Sequence, residues 1–173
     1  MATRKSMWVL FGILVIATWV LGSVAQAGAE TLNYKLYAVT VKADSVPVSD
    51  AEGHIMGLFV RTGFMVFENG EVATGYAVSL GDMVKGAATY SQYVSITFQD
   101  GSTIIRKDQS TIGGGTGPGA TTMTSEIIKG TGRFEGIKGT HAAKGAKFIP
   151  GEKWEAGPKL IHEGTYTYTL PSK

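Results

Sequence analysis

Few side chains in this 173-residue sequence are of the kind that breaks bonds, and their spacing excludes the commonest chemistries. The three histidines, His54, His141 and His162, show no His-x-x-x-His or comparable ligand pattern, so no metal site is expected. A Ser-His-Asp hydrolase needs a Gly-x-Ser-x-Gly elbow, and the chain has none. Gly130 to Gly136 reads Gly-x-Gly-x-x-x-Gly, but no long helix follows and no alternating strand–helix pattern surrounds it. It reads as a turn rather than a dinucleotide loop. Gly113 to Gly119 lacks the Gly-Lys-[Ser/Thr] ending of a phosphate loop, so no cofactor is expected. The residues left are suited to holding a molecule: Arg61, Tyr76, Gln92, Lys107, Gln109, His162 and Tyr166.

The elements that must position them begin after a leader. Arg4 and Lys5 precede the uncharged apolar run Met7 to Gly22, and Ser23-Val24-Ala25-Gln26-Ala27 offers the small residues a signal peptidase reads. Residues 1–27 therefore read as a cleaved signal peptide and 28–173 as one secreted or periplasmic domain. The apolar run is shorter than the roughly 20 residues of a spanning helix, so no stable membrane insertion is expected once it is removed. Losing Arg4 and Lys5 leaves the basic residues equal in number to the 14 acidic ones. Nucleic-acid binding needs a surplus of positive charge, so nucleic acid is not an expected partner. With no cysteine, the exported domain must hold together without disulfides.

From Asn33 onward the apolar pattern has a period of two, the mark of half-buried strands, and no window carries a helical stripe. Strands are expected at about 33–42, 54–67, 71–80, 88–99, 102–112, 120–129, 139–148 and 160–170. Eight strands joined in sequence, with no helix to cover a sheet face, predict an all-β fold: a single eight-stranded antiparallel barrel, favoured over a sandwich because closure removes exposed edges. Asn69-Gly70 and Asp100-Gly101 are hairpin dipeptides, and two-residue type I′ turns there set a register. Phe67 then pairs with Val72, Gly63 with Tyr76 and Arg61 with Val78, so that Arg61, Tyr76, Val78 and Leu80 point inward. Around the second turn Phe98 pairs with Thr103, Val94 with Lys107 and Gln92 with Gln109, which brings Gln92, Lys107 and Gln109 inward. All lie six to eight residues from their turns, about 20–27 Å along the strand, and so converge on the opposite mouth. His162 and Tyr166 share a face of the last strand with Tyr168 and Leu170. The outward apolar residues Val60, Phe64 and Val66 suit a subunit interface.

Two segments carry a resemblance to a known family. Ile96-Thr97-Phe98-Gln99-Asp100-Gly101-Ser102-Thr103-Ile104, followed by Gly130-Thr131-Gly132-Arg133-Phe134-Glu135-Gly136-Ile137-Lys138-Gly139, is similar to the allene oxide cyclase and dirigent barrel superfamily. The similarity covers roughly 89–170, and the matching motifs are structural turns. It implies an eight-stranded barrel, often trimeric, whose largely apolar cavity steers cyclisation or coupling of hydrophobic compounds. It places none of that family's catalytic residues on this chain.

The expected function is therefore the binding of a small, mostly hydrophobic molecule. Arg61, Lys107 and His162 would meet its polar or anionic end, and Tyr76, Gln92, Gln109 and Tyr166 would orient it. A cyclase or isomerase that holds its substrate in one reactive shape is the first alternative. A structural or interaction protein with a filled barrel is the second.

Overall fold

The computed structural model describes residues 28–113, 121–153 and 155–172. The leader, the glycine-rich loop beyond Gly113 and Trp154 lie outside the described residues. The period-two pattern folds into eight strands: β1 (Glu30–Pro47), β2 (Ile55–Phe67), β3 (Val72–Val84), β4 (Ala87–Phe98), β5 (Thr103–Ile112), β6 (Thr121–Thr131), β7 (Lys138–Ile149) and β8 (Lys159–Thr169). A single 3₁₀ turn, Gly132–Phe134, follows β6. Each strand pairs antiparallel with the next, and β8 returns to pair with β1, so the sheet closes into a barrel as expected. β3 runs on to Val84, past its expected end near 80, to meet β4 at Ala87, and the type I′ turn is at Lys85-Gly86, where φ is 49° and 84°.

The two hairpins at the other end correct the expected register. Gly70 N–H donates to the Phe67 carbonyl at 3.0 Å and Phe67 N–H to the Glu71 carbonyl at 2.9 Å. Gly101 and Phe98 repeat the arrangement, with Phe98 N–H on the Ser102 carbonyl. These are three-residue loops, a type I turn ending in a left-handed glycine (φ 86° at Gly70 and 81° at Gly101). The Asn69 and Asp100 carboxamide and carboxylate oxygens each accept the N–H two residues on, from Glu71 at 3.1 Å and Ser102 at 2.9 Å.

One extra loop residue slips the pairing by one, which turns every side chain of the following strand to the other face. Gly63 therefore faces Gly75 and Val66 faces Val72 across β2–β3, while Val94 faces Arg106 and Gln92 faces Asp108 across β4–β5. Tyr76, Val78 and Leu80, and likewise Lys107 and Gln109, point outward, contrary to the expectation. On β3 the inward row is Ala73, Gly75, Ala77, Ser79 and Gly81, all small until Met83 meets Tyr90 at the upper end, and the other bulky residues are outside. A narrow closed barrel cannot hold large side chains from all eight strands, so some strands must turn small residues inward.

The two segments that carry the family resemblance interlock at the lower end of the barrel. Phe98 stacks on Phe67 (5.2 Å) and on Phe134 (4.8 Å), and Phe134 meets Tyr168 edge-on at 6.1 Å. Arg133 covers this plug, its guanidinium 4.7 Å from the Phe98 ring and 4.8 Å from the Phe134 ring. It also pairs with Glu71 at 2.6 Å and lies 3.6 Å from Asp100, while its N–H donates to Ser102 Oγ at 3.1 Å. Three connections are thus tied together and the lower end is closed by aromatic rings.

Candidate functional site

Above the plug the interior turns polar. Arg106 and Asp108 sit two residues apart on the inward face of β5, 2% and 0% exposed, and Arg106 Nε donates to Asp108 Oδ2 at 3.1 Å. Arg106 Nη1 donates to the phenol oxygens of Tyr34 (3.2 Å) and Tyr166. The same Asp108 accepts from Gln92 Nε2 at 2.7 Å and from Ser125 Oγ, and Ser79 Oγ donates to Gln92 Oε1 at 3.0 Å. Tyr34 lies 2.5 Å from His141 Nε2. Burial, reinforced by the Arg106 charge and by His162, pushes His141 down to about 2, so its ring is neutral and Nε2 accepts the Tyr34 proton. Every charge in this cluster has a partner, as a buried network must.

Arg61 is different. It borders a cavity of about 40 Å³ lined by Leu36, Ala38, Met65, Val94, Leu160 and His162, with Thr62, Gly75, Tyr76, Ala77, Gln92 and Arg106 completing the wall. Its Nε is buried without a hydrogen-bond partner, and among the described residues it forms no ion pair with a carboxylate. The Phe59 ring is 5.6 Å from the guanidinium carbon. Burial pulls the Arg61 pKa below its ordinary value, with Tyr90 working weakly against that shift. Among the described residues, two guanidiniums, Arg61 and Arg106, and the Asp108 carboxylate point inward from the strands, and the β7–β8 connection buries a second carboxylate, Glu155. Space for the cavity comes from Ala38, Gly75 and Ala77; a Cβ built on Gly75 would have only Leu36 Cδ1 near it, at 3.9 Å.

His162 closes one side. Its Nδ1 lies 3.1 Å from the Glu163 carbonyl and its ring meets Tyr34 edge-on at 5.8 Å. Burial lowers its pKa, the Glu163 hydrogen bond opposing, so the ring is neutral near pH 7. Thr40 Oγ1 donates to the Pro158 carbonyl at 2.7 Å and Ala156 N–H to the Thr40 carbonyl at 3.1 Å, which draws the β7–β8 connection over the upper end.

Of the residues expected at the site, Arg61, Gln92 and His162 meet at the cavity, and Tyr166 lies behind it, fully buried in the Arg106 cluster. Gln92 is occupied in holding Asp108. Tyr76, Lys107 and Gln109 are corrected to the outer surface: the Tyr76 side chain is half exposed with only its strand bordering the cavity, Lys107 Nζ lies 5.8 Å from the Tyr93 ring, and Gln109 donates to Ser91 Oγ at 3.0 Å. Arg61 does not pair with Glu126, which is exposed on β6. Tyr34, Arg106, Asp108, Ser125 and His141 were not anticipated; the alternation Ile104-Arg106-Asp108 was the available signal, readable only with the right turn. No protein-family model and no curated protein matches the chain.

Proposed function

We propose that this chain is an exported barrel that binds a small molecule with an apolar body and an anionic end, in the general manner the allene oxide cyclase and dirigent resemblance implies. The observation that carries the reading is Arg61. Arg61 is partly buried, but its Nε is shut off from solvent with no acceptor, and a bound anion would supply one. Leu36, Ala38, Met65, Val94 and Leu160 supply the apolar wall that such a ligand meets.

The small size of the cavity favours a second reading, a filled barrel whose working surface is its outside, joined to other copies of the chain. Replacing Arg61 separates the two. Arg61→Met is expected to raise the stability of the empty protein, since a buried Nε without an acceptor is removed. Under the binding reading the same variant loses the anion that native mass spectrometry, followed by denaturing extraction, finds on protein purified from its own host. A stabilised variant beside a wild type that carries no anion and gains no stability from any small carboxylate would sink the binding reading and leave the filled barrel.

A further inference from the structure

The cavity offers a ligand one kind of acceptor as well as its cation. His162 Nδ1 faces the Glu163 carbonyl at 3.1 Å, and a carbonyl only accepts, so Nδ1 carries the ring proton. In the neutral ring the lone pair is then on Nε2, at the distal edge of a side chain that borders the cavity with Arg61. The other polar wall groups only donate, are already engaged or turn outward: Arg61 and Arg106 only donate, Gln92 is held between Ser79 and Asp108, Thr62 Oγ1 donates to the Gly75 carbonyl at 3.3 Å, and the Tyr76 side chain is half exposed on the outer face. The cavity, about 40 Å³, has room for roughly three waters or an acid of two or three carbons.

Resting on the anion-binding reading above, we propose that the occupant is a short 2-hydroxycarboxylate, its carboxylate on Arg61 and its hydroxyl donating to His162 Nε2. An amino acid of the same size would also bring a donor, but its ammonium would share the small cavity with the Arg61 and Arg106 guanidiniums. A plain short acid would leave Nε2 unpaired. His162 is thus a specificity-determining residue: it selects for the hydroxyl and performs no bond-breaking step.

Titration calorimetry with acetate, propionate, glycolate, lactate, alanine and octanoate tests this. Glycolate and lactate are expected to bind roughly tenfold tighter than acetate and propionate, the worth of one buried hydrogen bond, with alanine and octanoate weaker than either. His162→Phe should abolish the hydroxyl preference and leave plain-acid binding in place. Gly75→Val, whose Cβ would have only Leu36 Cδ1 near it at 3.9 Å, should fill the cavity and remove binding of all of them. A pH series on the wild type needs no variant. As pH falls through the lowered His162 pKa, Nε2 gains a proton and the hydroxyl preference should fade. The groups around that ring are Tyr34, His141, Arg106 and Asp108, with Arg61 across the cavity; His141 stays neutral to about pH 2 and so does not mimic the effect. Equal affinity for lactate and propionate, with both lost in Arg61→Gln, would overturn the hydroxy-acid proposal and leave the anion site standing. Tightest binding by octanoate would also overturn it. No binding by any of these acids would overturn both.

Discussion

At the scale of single residues, the interior is governed by how each charge is neutralised. Arg106 and Asp108 are buried together, so the pair is worth little against an apolar substitute, yet removing one partner is costly. Asp108→Asn should therefore destabilise the protein by about 3–5 kcal/mol in urea denaturation, while the double change Arg106→Met with Asp108→Leu should recover most of that loss. Single and double variants of equal stability would show that Asp108 is not the counter-ion that matters. Arg61 carries the opposite expectation, because its charge has no partner to lose. None of this was readable residue by residue. Hydropathy places Arg106 and Asp108 outside, and the inward placement of Arg61 was inferred only because the face it shares with Met65 and Phe67 is otherwise bulky and apolar. β2 and β4 were oriented correctly for that reason, their inward rows holding Phe67 and Met65, and Phe98, Ile96 and Val94.

At the scale of elements, connections decide more than strands do. The β1–β2 connection is fastened to β3 by His54, whose Nδ1 lies 2.5 Å from Asp50 and whose Nε2 lies 2.9 Å from Asp82. A carboxylate on each nitrogen favours the imidazolium form of the ring. The Asp50 hydrogen bond raises the His54 pKa, aided by the Asp50 and Asp82 charges against some loss of hydration. A raised folded-state pKa stabilises fully below the unfolded value of about 6.5 and is lost as pH rises through the folded one. His54→Gln should accordingly lower the Tm at about pH 5.5 and converge on wild type by about pH 9. A deficit that is the same at both ends of that range would mean the ring acts by packing alone. The two loops at the lower end teach a related lesson. Asn-Gly and Asp-Gly fit a type I′ pair, but they fit equally a type I turn in which the Asn or Asp caps the next N–H but one and the glycine takes the left-handed position. The dipeptide identified the hairpins without identifying the loop length, and that one residue turned β3 and β5 over.

For the whole molecule, the slip moved apolar surface to the outside. Phe64 and Tyr37 stack at 5.4 Å on the outer face of β1–β2, and beside them Tyr76, Leu80 and Tyr93 are 51%, 60% and 52% exposed on β3 and β4. The trimer implied by the resemblance would use an apolar outer wall of this kind. Sedimentation velocity at micromolar concentration should show a closed homo-oligomer that Tyr76→Lys together with Leu80→Lys converts to folded monomer; a monomeric wild type would remove self-association from consideration. By itself the sequence determined the strands, their number, their antiparallel order and the closed barrel, because a period of two and the turn residues are local signals that each strand carries on its own. The tertiary structure alone decided which face of β3 and β5 points inward, and with it the Arg106–Asp108 cluster, the unpaired Arg61 and the cavity. Both faces of those strands hold residues that tolerate burial, so the choice falls to the loop geometry and to how much side-chain volume eight strands can place around one axis.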